Sequence, residues 1–220
     1  MTFADNPIVQ KLQLRFSKTG AARFLSHHDL MRLFARAARR AALPVRMTQG
    51  HDPRPRLVFA TALELGVDSL AEECEVEMAR WIALQEARAR LAQQLPAGIA
   101  LSEVRLLPPR RDGEHPVEML YRVRPPGGAA SLGMTPETAS ALLARQTLPF
   151  DRPREQHLQH LDLRPSLVSI SLDGDDLLIA LSPTATGAAR PAEIASLLAG
   201  RPLTETRKWQ TTKLSMRMSR

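Results

Sequence analysis

Acid–base chemistry needs residues that titrate near neutral pH, and the first quarter of the chain holds three of them. His27 and His28 stand next to Asp29, and His51 follows in a separate polar stretch. Paired histidines could serve as general base and general acid on a ribose 2′-hydroxyl, the chemistry of a metal-independent endoribonuclease. The same His/Asp set could hold a metal if folding gathered it. Spacing does not gather it, so His27, His28 and His51 stand as catalytic candidates beside the simpler reading that they are solvated. No metal site, cofactor or independent catalytic activity is expected. The single cysteine, Cys74, allows neither an internal disulfide nor a Cys-paired zinc site.

Binding chemistry is better represented. The net charge is +7, and residues 1–60 hold 11 Lys and Arg against 3 Asp and Glu. Residues 61–116 hold 6 against 10, and residues 117–220 hold 13 against 10. A clustered positive field attracts polyanions, nucleic acid first among them, although a generally arginine-rich composition would look the same. Arg32, Arg36, Arg39 and Arg40 have no acidic residue four positions away, so intrahelical pairing does not explain them. They could grip phosphates in two-pronged fashion, or pair with the acidic run Glu73, Glu75 and Glu77. Ser26 has the look of a helix N-cap, and the N–H groups of a helix start favour anions. Lys18 and Arg23 precede it and could join such a contact, while Asp29 competes for the same N–H groups. The segment 48–56, with Gln49, His51, Arg54 and Arg56, is polar and stiffened by Pro53 and Pro55; it could read a ligand or simply connect. Gly50 is expected to take an unusual backbone angle there.

These side chains need elements to hold them. Residues 11–16 alternate and predict a strand. Ser26 and Asp29 have capping-box spacing, and a helix from about 27 to 42 places Leu30, Leu33, Phe34, Ala37, Ala38 and Ala41 on one stripe with the arginines opposite. Strands are expected over 57–63 and over 72–80, the second with Cys74, Val76 and Met78 inward and its glutamates on a wet face. A helix over 83–95 and a strand over 100–107 complete a β-α-β-β-α-β order, the ferredoxin-like arrangement, with a sheet face free for a ligand.

Residues 108–116 read as a linker between a domain at 1–107 and a second α+β domain at 117–220. There, strands are expected at 119–124, 156–163, 166–172 and 177–182, the last two joined through Asp173-Gly174. Helices are expected from Thr135 to about Gln146 and from Pro191 to Leu198, closed by Gly200, with a final strand within 203–214. The order suggests a second, divergent ferredoxin-like unit. The basic tail 213–220 reads as loose. Trp81, Trp209 and Tyr121 are scattered, so core or rim packing is expected of them rather than base stacking.

The stretch RFSKTGAARFLSHHDLMRLFARAARRAALPVRMTQGHDPRPRLVFATALELGVDS, residues 15–69, resembles a bacterial family of unknown function associated with radical SAM proteins. Its members occur alone or fused behind a radical SAM domain. The likeness is strong over 11–80 and weak beyond, where it rests on LDLRP at 161–165. His28, His51, Asp52 and Arg54 depart from the residues usual in the family. The resemblance implies a radical SAM partner in another chain, because one cysteine cannot supply the three thiolates of a [4Fe–4S] cluster. It implies no catalytic residues.

The start of the sequence has no signal-peptide pattern and no apolar run is long enough to span a membrane, so a cytoplasmic protein is expected. The combined expectation is an α+β protein that binds RNA, tRNA or rRNA, with no preference for DNA. It would use Lys18, Arg23, Ser26, Arg32, Arg36, Arg39 and Arg40 on phosphates and the 48–56 segment for reading. A docking module with no nucleic-acid role is the competing reading.

Overall fold

The computed structural model describes residues 8–49, 51–107, 115–154, 157–184 and 189–219. The chain is α+β with a mostly sheet core, and it divides into two compact units, residues 1–114 and 115–220.

In the first unit the elements are β1 (Gln10–Lys18), α1 (His27–Arg40), β2 (Leu57–Phe59), β3 (Asp68–Met78), α2 (Leu84–Ala92) and β4 (Ile99–Leu106). β1 lies between β3 and β4, and β2 pairs with β3, all antiparallel, so the strand order is β4-β1-β3-β2. Even-numbered residues of β1 and β3 face the helices. Leu12, Leu14, Phe16, Cys74, Val76 and Met78 are buried against Leu30, Leu33, Phe34 and Ala37 of α1 and Ala87 and Leu91 of α2. Aromatics are few, and three of them concentrate here: Phe34 lies 4.7 Å from Phe16 and 5.6 Å from Phe59, ring centre to ring centre.

Local chemistry sets both ends of α1. Ser26 Oγ accepts from the Asp29 N–H, while the Asp29 carboxylate accepts from the Ser26 N–H and hydroxyl. This is the capping box read from the sequence. At the other end the Ala42 N–H donates to Arg39 O and the Leu43 N–H to Ala38 O. That is a Schellman closure, and it forces Ala42 to φ +50°, where glycine is the usual residue.

Two expectations for this unit change. The strand expected over 57–63 ends at Phe59, because the chain leaves the sheet after Ala60 donates to Glu73 O. The glutamate face of β3 is not wet: Glu73 and Glu75 are 3% and 9% exposed. Facing cations and amides cover it. Arg15 holds Glu73 at 3.0 Å, Gln13 donates to Glu73 at 2.8 Å, and Arg105 bonds the Gln13 amide oxygen. Lys11 lies 3.9 Å from both Glu75 and Glu77, and Arg46 is 3.0 Å from Glu77. The sheet face expected to be free for a ligand is therefore occupied by its own cross-strand charge pairs.

The second unit comprises β5 (Pro116–Arg124), α3 (Pro136–Leu143), β6 (Pro149–Pro153), β7 (Leu158–Asp162), β8 (Leu167–Asp173), β9 (Asp176–Leu181), α4 (Pro191–Ala199), α5 (Leu203–Thr206) and β10 (Gln210–Met218). β5 pairs with β10 and β9, and β9 with β8, giving an antiparallel order β10-β5-β9-β8. β6 and β7 form a separate hairpin. β6 was not expected, since PFDRP carries a proline at each end, and the strand expected over 156–163 pairs only with it. LDLRP turns the chain out of this hairpin: Asp162 accepts from the Leu148 and Arg164 N–H groups, and the Arg164 guanidinium donates to Arg145 O and Leu167 O.

The segment 203–214 begins as a helical turn, and the tail expected to be loose is strand as far as Met218, with Lys213 fully buried. A bulge between Lys213 and Ser215 interrupts the alternation that would have revealed it. The linker expected at 108–116 lies outside the described residues from 108 to 114. Among the described residues no helix is long and apolar enough to cross a membrane.

Candidate nucleic-acid interface

At 3.6 residues per turn, Arg32, Arg36 and Arg39 of α1 fall within an arc of about 60° on the side opposite the core, spread over about 10 Å of helix. All three are exposed. Arg32 has a long contact, 4.0 Å, with Asp29 one turn earlier, and both groups are well solvated. Among the described residues Arg36 and Arg39 have no carboxylate partner. Arg40 turns aside and donates to Gln94 O at the end of α2, at 2.7 Å. The acidic run lies out of reach of the stripe: Glu73, Glu75 and Glu77 are on the sheet face away from α1, held by Arg15, Lys11 and Arg46.

The helix start is a different matter. Hydrogen bonds from the Ser26 side chain and then its backbone hold the Asp29 carboxyl below the usual carboxylate range. Its negative charge therefore occupies the positive end of the helix dipole. Lys18 is corrected outright. It is 1% exposed, and its ammonium donates to Arg23 O and Leu25 O at 3.2 and 3.1 Å. Its stem points inward because it continues the even-numbered face of β1 that carries Leu12, Leu14 and Phe16. Arg23 is half-exposed but lies 3.7 Å from Asp68 and over the Phe24 ring at 4.8 Å. Both residues fix the turn between β1 and α1.

The 48–56 segment is a small hairpin. Thr48 N–H donates to Arg54 O, Arg54 N–H to Thr48 Oγ1 and Arg56 N–H to Arg46 O, and Arg46 N–H donates to Glu77 O. It is thus rooted at the end of β3, just past the C-terminus of α1. Gln49, His51, Arg54 and Arg56 are exposed. Arg54 is paired with Asp52 at 2.9 Å, although both side chains are about three-quarters exposed. Gly50 lies outside the described residues.

The histidines take separate roles. His27 is half-buried with its ring edge-on to Phe59 at 5.7 Å, and His28 is exposed, 6.0 Å from His27. Among the described residues no ring contact joins His51 to either, and no group of three or more His, Cys, Asp or Glu residues is arranged to hold a metal. Cys74 is buried, and burial pushes its thiol up, so it stays protonated. Trp81, expected in the core or at its rim, is 65% exposed, whereas Trp209 and Tyr121 are buried.

A second cluster of cations escaped sequence reasoning. Arg122 and Arg124 of β5 share a sheet face with Gln210 and Thr212 of β10, and Asp176 of β9 lies beside them. The alternation in Arg122-Val123-Arg124 was the available signal, because it places both arginines on one face.

These features define an α+β protein whose exposed cations sit on a helix face and a hairpin in one unit and on a sheet face in the other. The family model described as an uncharacterized protein conserved in bacteria (DUF2344) matches residues 11–191, most of the chain and parts of both units. The chain belongs to that family. No curated protein matches it.

Proposed function

We propose that this protein binds RNA through the exposed arginine stripe of α1, with the 46–56 hairpin as a neighbouring contact. One observation carries the reading: Arg32, Arg36 and Arg39 stay exposed on one arc of α1, and among the described residues their one carboxylate contact is the 4.0 Å approach of Asp29 to Arg32. Glu73, Glu75 and Glu77 lie on the sheet face away from α1, so nothing on that strand offsets the stripe, and its positive charge suits an external polyanion. Gln49, His51 and Arg56 add exposed donors at the end of the helix where Arg39 lies.

Both units read as ferredoxin-like. In support, each runs β-α-β-β-α-β with its fourth strand beside its first and its third between first and second; the β6–β7 hairpin is an insertion in the second. The resemblance of residues 15–69 to radical SAM-associated proteins supports a role as accessory, presenting tRNA or rRNA to an enzyme on another chain. A buried, protonated Cys74 leaves the cluster chemistry to that partner.

The test is fluorescence anisotropy of a labelled tRNA with the full chain and with an Arg32→Glu/Arg36→Glu/Arg39→Glu variant. The wild type should weaken steeply between about 50 and 200 mM salt, and the variant should lose at least about tenfold in affinity. Equal affinity of the two proteins would overturn the proposal. A salt-insensitive association with a protein partner would favour a docking module instead. Cleavage of the RNA, lost in His51→Ala with binding retained, would favour the endoribonuclease.

A further inference from the structure

The outer face of the second unit's sheet carries a recess lined by Arg122, Arg124, Gln210 and Thr212. Register explains the grouping. Arg122 stands opposite Thr212 and Arg124 opposite Gln210 across the β5–β10 pair, so four polar side chains of like orientation meet on two adjacent strands. The recess measures about 70 Å³, where ~10–15 Å³ on the same scale holds one water. It has room for a tetrahedral oxyanion.

The two arginines are not equivalent. Arg124 is spent on Asp176: its Nε reaches Oδ1 at 2.6 Å and its Nη2 reaches Oδ2 at 2.7 Å, a two-pronged pair with a carboxylate that is 4% exposed. That pairing raises the Arg124 pKa and locks the guanidinium in place. Arg122 has no such match. Its Nε is shielded from solvent and makes no hydrogen bond, and Asp176 Oδ2 lies 3.5 Å away, outside hydrogen-bonding geometry. Among the described residues Arg122 makes no hydrogen bond at all, although a guanidinium offers five N–H donors. Asp175, in the adjoining turn, is exposed, so its charge is screened by water.

The Nε is closed to solvent and so to any ligand, but the Arg122 side chain is 43% exposed, and its terminal N–H groups, unbonded within the described residues, leave a permanently charged group at the recess open to an outside acceptor. The acceptor that suits it is rich in oxygens and has no protons to donate, and Gln210 and Thr212 can complete its shell. We propose that this recess is a phosphate-binding site in which Arg122 makes the principal contact, Arg124 with Asp176 forms its rigid floor, and Gln210 and Thr212 close the side. It is separate from the α1 stripe and stands or falls independently of it.

The experiment is calorimetric titration of inorganic phosphate into the full chain, wild type and Arg122→Gln. Arg124 retains its two-pronged hold on Asp176 in the variant, so Arg122→Gln should stay folded, which thermal unfolding of both proteins checks. The wild type should bind phosphate, and Arg122→Gln should bind at least about tenfold more weakly. Absence of binding to the wild type, or equal binding by a folded variant, overturns the site. An RNA oligonucleotide titrated into both proteins distinguishes the source of the group. RNA affinity that falls in Arg122→Gln marks a backbone phosphodiester; RNA affinity unchanged while phosphate binding is lost marks a small phosphorylated compound.

Discussion

Arg152 and Glu193 are 41 residues apart in the chain and meet in a buried two-pronged ion pair, with Nε to Oε1 at 2.6 Å and Nη2 to Oε2 at 2.7 Å. Arg152 belongs to the inserted β6–β7 hairpin. Glu193 lies in the first turn of α4, where its carboxylate also accepts from the Arg190 N–H. One carboxylate thus caps a helix and fastens the hairpin to it. Removing one member of such a pair strands the other as a buried charge.

Arg152→Ala is accordingly expected to destabilise the second unit by about 3–5 kcal/mol. Urea unfolding followed by Trp209 fluorescence checks this, since Trp209 is buried in that unit. A change below about 1 kcal/mol would show that the pair roughly breaks even against its desolvation.

Ala42 is exposed at φ +50°, a conformation that costs an L-residue roughly 1 kcal/mol or more and glycine much less. Ala42→Gly should therefore raise the stability of the first unit by about 0.5–1 kcal/mol. An unfolding midpoint equal to or below that of the wild type contradicts the Schellman reading.

Lys18 and Arg36 should part company. Lys18→Ala orphans two carbonyl acceptors, Arg23 O and Leu25 O, and should cost about 1–3 kcal/mol of stability. Arg36→Ala should stay within about 0.5 kcal/mol of wild type yet weaken tRNA binding and flatten its salt dependence. Anisotropy beside thermal unfolding for both variants separates structure from contact. The reverse pattern would place the phosphate contact at Lys18.

Asp162 gives the second unit an acid-sensitive joint. Hydrogen bonds from the Leu148 and then the Arg164 N–H hold its carboxyl below the usual carboxylate range. A carboxylate lowered on folding contributes fully above its unfolded pKa, and the contribution fades as pH falls through the folded value. Between about pH 5 and pH 2 the wild type should lose more stability than Asp162→Asn. Parallel pH profiles for the two proteins, read from urea midpoints, would dismiss the joint.

The helices other than the short α5 were readable because their signals are local. Ser26 with Asp29, Thr135 before Pro136, and Gly200 after Ala199 mark ends through contacts within a few residues. The α1 stripe was readable too, since a 3.6-residue period separates Leu30, Leu33, Phe34 and Ala37 from the arginines. Strand limits were harder. β2 stops at Phe59, where the chain leaves the sheet after a last bond from Ala60 to Glu73 O, and β10 hides behind a bulge.

By itself the sequence determined the longer helices, most of the strands and the apolar face of each, because those depend on periodicity and on neighbours along the chain. Only the tertiary structure decided what each polar face meets. Glu73 is covered by Arg15 and Gln13 from the neighbouring strand, Lys18 meets the carbonyls of Arg23 and Leu25, and Arg152 finds Glu193 across 41 residues. A side chain's pairing depends on which strand lies next to it, and strand order is a property of the closed sheet rather than of any segment. The same reason left Arg122 invisible as a binding group: its lack of an acceptor exists only once β5, β9 and β10 stand side by side.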